Sequence, residues 1–174
     1  EEPTATAADL LANPTLANLH NSLTACAWEV APGEVDVIAS SPELIQHDAF
    51  KSAAAFKPRL ARALEKLDGY DLVLIDCPPS LGTLTRDALA ASDLAIIVAT
   101  PTYFGLQGAE RAADEIEEIR KTHNKKLKLL GVLPNRVKSV AEEHDFRIKE
   151  LGSIFKKQVL TPPIPDRIAF QQAE

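Results

Sequence analysis

The residues that most constrain the fold are four consecutive apolar side chains at positions 72–75, followed directly by Asp76 and by the pair Pro78-Pro79. An apolar run without alternation is typical of a strand that is buried on both faces, as in a parallel sheet. Proline ends such a strand, because it has no amide hydrogen and a fixed φ. Open α/β sheets bind ligands at the carboxyl ends of their strands, where Asp76 would lie. An ordinary strand that ends in a proline turn fits the same residues, so Asp76 alone does not establish a site.

Strand and helix patterns alternate along the rest of the chain. Apolar runs at residues 94–98 and 127–133 predict two further buried strands, and a last strand is predicted near Val159-Leu160. Between them, apolar residues recur at helical spacing from Leu106 to Ile119, which predicts a long amphipathic helix. We therefore predict an α/β fold, a doubly wound and mostly parallel sheet with helices on both faces. No repeat or linker divides the sequence, so residues 1–174 are predicted to form a single domain.

Composition limits the class of function. An apolar share of 45% over 174 residues is enough for a domain with a hydrophobic core. The net charge of -6 argues against a surface that is basic throughout, but it leaves room for a local basic patch. Cys26 and Cys77 lie far apart in sequence and suggest neither a metal motif nor a disulfide framework, so we expect a reduced, cytoplasmic protein. The longest apolar run is too short to span a bilayer.

Four predicted strands end in loops that would share one rim of a parallel sheet. The loops are residues 76–79, 100–102, 134–136 and 163–166. They offer a carboxylate at Asp76, a carboxamide at Asn135 and a guanidinium at Arg136. A carboxylate can hold Mg²⁺ through water, and a carboxamide can both donate to and accept from an adenine edge. The rim suggests a nucleotide site with a metal; prolines that merely end strands are the alternative, and it stays open at this point.

Three segments carry a resemblance to a known family. They are DCPPSLG at residues 76–82, TPTYFGLQG at residues 100–108 and GVLPNRV at residues 131–137, and the resemblance continues through TPPIPDRIAFQQAE at the end of the chain. These segments resemble the ParA/MinD-type ATPases, which have a deviant Walker A phosphate loop. The match is closer to the ParA/Soj branch, which partitions chromosomes and plasmids. It covers nearly all of the chain from about Val35.

The resemblance implies ATP and Mg²⁺ as cofactors and assigns the residues that would contact the phosphates. Asp76 would be the catalytic, Walker B–like acid that places Mg²⁺ and a water molecule at the γ-phosphate. Pro78, Pro79 and Gly82 would belong to the second switch loop, which senses that phosphate.

The resemblance also implies a base site and a set of partners. Asn135 and Arg136, together with Pro165 and Asp166, would surround the adenine. ATP binding would close a homodimer that binds DNA without sequence preference, and a centromere-binding ParB-type protein would stimulate hydrolysis. Arg167 and, more weakly, Lys138 are candidates for the DNA contact, although surface charges of this kind are often only solvated. A cytoplasmic, nucleoid-associated protein is implied.

The chain departs from the family pattern in one large respect. None of its seven glycines lies in a glycine-rich phosphate loop. The family's phosphate loop, first strand and first switch aspartate should precede Glu1, so we expect a domain that is truncated at both ends. Such a piece should bind ATP weakly or not at all, because the phosphates would have neither an amide cradle nor a lysine. Its remaining strands should lack a neighbour.

Two other functions remain open at the level of sequence. One is a degenerate, non-catalytic interaction module of the same fold. The other is a P-loop amide-forming synthetase of the cobyrinic acid diamide synthase type, although the glutamine amidotransferase domain that such enzymes usually carry is not recognisable here. Membrane cycling of the MinD kind would need a carboxyl-terminal amphipathic helix, which the sequence does not contain, so no membrane partner is expected.

Overall fold

The computed structural model describes residues 4–26, 33–48, 56–138 and 142–167. It divides the chain into two compact units, Glu1–Ser92 and Asp93–Glu174. The prediction of one domain over residues 1–174 stays a prediction. No helix in these described ranges is long and apolar enough to cross a membrane.

The first unit is built from short helices around a small apolar core. Leu10, Leu19 and Ala63 are its buried centre, and a two-stranded antiparallel ladder lies beside them. The ladder joins two three-residue strands, too short to be stable without packing. The elements are α1 (Ala7–Ala12), α2 (Leu16–Ser22), β1 (Leu23–Ala25), β2 (Asp36–Ile38), a 3₁₀ helix (Pro42–His47), α3 (Leu60–Leu64) and α4 (Thr83–Ala91).

A buried carboxylate joins α3 to α4. Asp87 of α4 is 1% exposed, and its Oδ1 accepts hydrogen bonds from the backbone amides of Arg59 (2.7 Å) and Leu60 (3.0 Å). The Arg59 Nε lies 3.5 Å from Oδ2 of the same carboxylate. The first amides of a helix have no partner within the helix, so Asp87 supplies from a neighbouring helix what a capping residue usually supplies locally.

The prediction of a buried strand at residues 72–75 is wrong. The segment has no ladder partner among the described residues and is not a strand in the structure. Leu72 is 72% exposed and Leu74 is 84% exposed. The Tyr70 hydroxyl, just before the segment, donates to the Asp36 carboxylate of β2, and this contact raises the pKa of Tyr70. An apolar run favours a strand, but it forms one only where a neighbouring backbone offers hydrogen bonds.

The second unit is a parallel strand–helix–strand arrangement, which confirms the predicted α/β class. β3 (Leu94–Ala99) and β4 (Lys128–Pro134) run parallel, and α5 (Tyr103–Thr122) connects them. Such a crossover is what parallel neighbours require. The strand predicted at residues 159–160 is reduced to a single bridge between Val159 and Val132. α6 (Glu142–Phe155) and a 3₁₀ helix (Lys156–Gln158) precede that bridge.

Helix α5 follows its predicted pattern closely. Leu106, Ala109, Ile116 and Ile119 are buried along one stripe. Thr102 caps the helix by accepting from the Gly105 amide at 3.0 Å. A side chain at Gly105 would overlap the Thr100 carbonyl, so the loop before the helix packs against bare backbone.

Strand β3, by contrast, is not buried on both faces as predicted. Ile97 and Ala99 are buried, whereas Leu94, Ile96 and Val98 are each more than half exposed. The alternation shows that only one face of β3 is covered, since successive side chains of a strand point to opposite faces.

Candidate functional site

The predicted phosphate-facing residues lie on a loop that leads into α4. Asp76, Pro78 and Pro79 are exposed, and Gly82 is half-buried at the N-cap position of α4. The Thr85 hydroxyl donates back to the Ser80 carbonyl at 2.6 Å and closes the loop onto the first turn of the helix. The loop is therefore anchored at its helical end, while Asp76 is open to solvent.

A residue that the sequence did not reveal, Asp48, holds this loop. Asp48 Oδ2 accepts from the Ser80 hydroxyl at 3.0 Å, and Oδ1 accepts from the Leu84 amide at 3.1 Å. A Cβ at Gly82 would overlap the same carboxylate, so glycine is what allows this close approach. A negative charge at the amino end of a helix is also favoured by the helix dipole. Asp48 lies 32 residues before Ser80, and no local pattern links the two.

Asp48→Ala should loosen this loop without unfolding the first unit. The substitution removes two hydrogen bonds to a charged acceptor, and we expect a loss of about 1–2 kcal/mol in the free energy of unfolding, since much of the loop is exposed. Urea denaturation measures that loss, and limited proteolysis between residues 76 and 82 should become faster. Asp71→Ala, which removes an exposed acid close to the loop, is the control. Equal protease sensitivity of both variants would contradict the role of Asp48.

Cys77 does not have the properties of a reactive thiol. The residue as a whole is exposed, but partial burial of its sulfur raises the pKa of the Cys77 thiol, and the neighbouring Asp76 carboxylate raises it further. A thiol with a raised pKa is mostly protonated at neutral pH and is a poor nucleophile.

In the second unit, the structure brings the two predicted base-site segments together. The Val137 amide donates to the Ile164 carbonyl at 3.0 Å, and the Asp166 amide donates to the Val137 carbonyl at 2.9 Å. Residues 134–137 and 164–166 therefore lie side by side, although about thirty residues separate them in sequence. Asn135, Arg136, Pro165 and Asp166 all belong to this pair of segments, as the sequence suggested.

The local geometry at Asn135 and Arg136 is specific. Arg136 has a φ of 57°, in the left-handed region that non-glycine residues seldom adopt. Its amide donates to Asn135 Oδ1 at 2.8 Å, and the Asn135 amide donates to the Ala99 carbonyl at 2.9 Å. This turn fixes the Asn135 carboxamide directly after β4, at the carboxyl end of the strand.

The two predicted DNA-contact residues differ in their surroundings. Lys138 Nζ lies 3.6 Å from Asp166 Oδ2, so its charge is partly compensated by a residue that was predicted to face the base. Arg167 is exposed, and within the described residues no carboxylate is recorded at ion-pair distance from it. Of the two, Arg167 is the more available to a phosphate.

The described residues fit a nucleotide-bound Mg²⁺ better than a metal held by protein alone. No cluster of three or more acidic, histidine or cysteine side chains that could hold a metal is found in the described ranges. Mg²⁺ commonly keeps several waters and takes one or two carboxylates together with substrate phosphates, and a single exposed carboxylate at Asp76 suits that arrangement. Asp76 would hold the ion through water, and the ion would neutralise charge on the phosphates.

Comparisons with known proteins place the chain in a class and then in a family. The parallel β3–α5–β4 unit belongs to an α/β protein of the P-loop NTPase fold. A family model described as an AAA domain (AAA_31) matches residues 7–129. The chain belongs to this family, the ParA/MinD-type ATPases.

The curated relatives include partitioning proteins. The chromosome partitioning protein ParA of Myxococcus xanthus is 32% identical over 146 residues, which are 83% of this chain and 49% of that protein. The sporulation initiation inhibitor protein Soj of Bacillus subtilis is 30% identical over 146 residues, 83% of this chain and 55% of that protein. The chain thus spans about half the length of these relatives.

Among solved structures, the fold is similar to that of a biosynthetic enzyme. The cobyrinic acid a,c-diamide synthase of Mycobacterium smegmatis, with bound ADP and magnesium, superposes with a TM-score of 0.78 at 26% identity. The match covers 96% of this chain and 66% of that one.

Proposed function

We propose that the protein is a ParA-type partitioning ATPase, which uses ATP and Mg²⁺ to switch between monomer and homodimer during DNA segregation. The observation that carries the proposal is the loop from Asp76 to Gly82. It places an exposed carboxylate, Asp76, before helix α4, which begins at Thr83, and it is tied to that helix by Asp48. A loop with a solvent-facing acid and a fixed far end is suited to respond to a phosphate group at the acid.

Each of the proposed nucleotide-contacting segments has a task. Asp76 holds the Mg²⁺ water shell, and the Pro78-Pro79 segment stiffens the backbone next to it, because proline restricts φ. The turn at Asn135 and Arg136, packed against Pro165 and Asp166, offers carboxamide and backbone groups for the adenine edge. Residues outside this chain would have to cradle the phosphates, since no glycine-rich loop is present in the sequence.

The partners in this proposal are duplex DNA and a centromere-binding ParB-type protein, and the place of action is the cytoplasm, at the nucleoid. Support comes from the relatives whose names state chromosome partitioning, ParA of Myxococcus xanthus among them.

The proposal is tested by ATP hydrolysis in the complete natural protein. We expect slow turnover alone and faster turnover when duplex DNA and the cognate ParB-type protein are both added. Size-exclusion chromatography with ATP and with ADP should give a dimer only with ATP. Turnover that neither addition changes would contradict the partitioning role, and the absence of any nucleotide binding would indicate a non-catalytic module.

A second candidate is an amide-forming synthetase, favoured by one observation, the TM-score of 0.78 to the mycobacterial synthase. An enzyme of that class would consume ATP only when a carboxylate substrate and an amide donor are present. ATP consumption that requires cobyrinic acid and glutamine, and that ignores DNA, would replace the first proposal by the second.

A further inference from the structure

The backbone of residues 135–138, which we call the base turn, is hydrogen-bonded at each of its four amides. Three of the acceptors belong to the turn itself or to the neighbouring backbone at Ala99 and Ile164. The fourth acceptor is a side chain on a helix, because the Lys138 amide donates to Nδ1 of His144 at 3.0 Å. His144 therefore fixes the end of the base turn that the neighbouring strands leave unbonded.

His144 ties a helix to the place where the two base-site segments meet. It is half-buried near the start of α6. Its partner Lys138 also extends an ammonium group to 3.6 Å from Asp166 Oδ2, and the Asp166 amide donates to the Val137 carbonyl at 2.9 Å. Lys138 is thus the residue at which the base turn, α6 and the segment around Asp166 are joined.

The base turn needs this support because its backbone conformation is unfavourable. Arg136 has a φ of 57°, and a non-glycine residue keeps such a conformation only where the surrounding contacts enforce it. The Lys138 amide lies at the surface, so water could bond to it in place of His144. Water would satisfy the donor but would not hold it in position, and the turn would then populate other conformations.

The contact depends on one atom of the imidazole. A ring nitrogen accepts a hydrogen bond only when it carries no hydrogen, so this bond requires the His144 ring that has its hydrogen on Nε2. An oxygen at the place of Nδ1 could accept the same bond, whereas an apolar side chain of similar size could not. The role of the acceptor can therefore be separated from the role of the bulk of the ring.

We propose that His144 is a positioning residue of the adenine site. By accepting from the Lys138 amide, it holds the base turn in the conformation in which Asn135 meets the adenine edge, without touching the nucleotide itself. This role rests on the proposed function, because that function makes Asn135 and Arg136 the base site. Loss of the acceptor lowers the fraction of molecules with a competent base turn, and the apparent affinity for ATP falls by the same factor.

The test compares two substitutions of His144 in the complete natural protein. His144→Leu keeps a side chain of similar size and removes the acceptor, whereas His144→Asn places Oδ1 close to the position of Nδ1. Isothermal titration calorimetry with Mg²⁺ and ATP should show roughly 2- to 10-fold weaker binding in the leucine variant, the loss expected for one hydrogen bond. The asparagine variant should bind ATP within about 2-fold of the wild-type protein, because the acceptor is restored.

Two further measurements distinguish positioning of the base from a general loss of structure. Inorganic tripolyphosphate with Mg²⁺ has no base, so it should compete equally well for the wild-type protein and for His144→Leu. In steady-state hydrolysis, the KM for ATP should rise in His144→Leu while kcat stays unchanged, because the base contacts are the same in the ground state and the transition state. His20→Leu, which changes an exposed histidine of α2, is the matched control and should alter neither quantity.

A third variant, Asn135→Ala, separates failure of this role from failure of the proposed site. Weaker ATP binding in Asn135→Ala, with wild-type binding in His144→Leu, would overturn the role of His144 and leave the base site intact. Equal losses of ATP and tripolyphosphate affinity in His144→Leu, or no recovery in His144→Asn, would also overturn it, since the histidine would then support the fold in general. Wild-type ATP affinity in both Asn135→Ala and His144→Leu would overturn the base site together with the role of His144.

Discussion

Replacing Asp76 by alanine in the complete natural protein should lower ATP hydrolysis by roughly 10²–10³-fold, while nucleotide binding is partly kept. The expected loss is large because the side chain acts on charge that develops during phosphoryl transfer, where a misplaced Mg²⁺ ion cannot be replaced by solvent. Binding should survive in part because the base contacts proposed for Asn135 and Arg136 do not involve Asp76. Single-turnover hydrolysis and equilibrium binding of a fluorescent ADP measure the two effects separately.

The design of this experiment benefits from the exposure of Asp76. Asp76 faces solvent and makes no side-chain hydrogen bond to the other residues that the structure describes, so its removal should have little effect on folding, and lost activity would not reflect an unfolded protein. Asp76→Asn keeps the size and removes the charge, and it should be nearly as inactive as the alanine variant. Asp71→Ala, an exposed acid five residues earlier, should hydrolyse ATP at the wild-type rate. Unchanged turnover in Asp76→Ala would remove this residue from the mechanism.

Features that depend on residues close together in sequence could be predicted, and features that depend on distant residues could not. Helix α5 was predictable because its stripe of buried residues and its cap lie within the helix or directly before it. The prediction of a strand at residues 72–75 was wrong, because strand pairing depends on a neighbouring backbone that the local sequence does not reveal. The prediction that β3 is buried on both faces was wrong for a similar reason, since burial of the second face depends on whether another element covers it.

The candidate site also has one feature that the sequence predicted and one that it did not. The sequence indicated that residues 134–136 and 163–166 lie on a common rim, and in the structure they are neighbours. Asp48 was missed, because its partners Ser80 and Leu84 lie more than thirty residues away. A short polar residue after a 3₁₀ helix has no distinctive local signature, and only the fold shows that its carboxylate caps α4. Local sequence patterns do not predict polar contacts between residues that lie this far apart in sequence.

Asp87 is the residue whose loss should destabilise the first unit most. In Asp87→Ala, the half-buried amides of Arg59 and Leu60 lose their acceptor and α3 loses the cap that holds it to α4. An unsatisfied buried donor costs about 1–3 kcal/mol, whereas the Arg59 guanidinium can turn to solvent because its side chain is 26% exposed. We expect a loss of about 3 kcal/mol in the free energy of unfolding, measured by urea denaturation of the complete natural protein.

The pattern among variants of Asp87 distinguishes a cap from a simple ion pair. Asp87→Asn keeps an oxygen for the two amides and loses only the charge, so it should cost about half as much as Asp87→Ala. Arg59→Gln keeps both amide hydrogen bonds and removes the ion pair, together with the 3.0 Å contact between Arg59 Nη1 and His47 Nδ1. It should cost about 1 kcal/mol or less, because the Arg59 side chain is partly exposed. Asp114→Ala, an exposed acid on α5, should change stability by at most about 0.5 kcal/mol. If Arg59→Gln were as costly as Asp87→Ala, the ion pair and not the backbone cap would hold α3 in place.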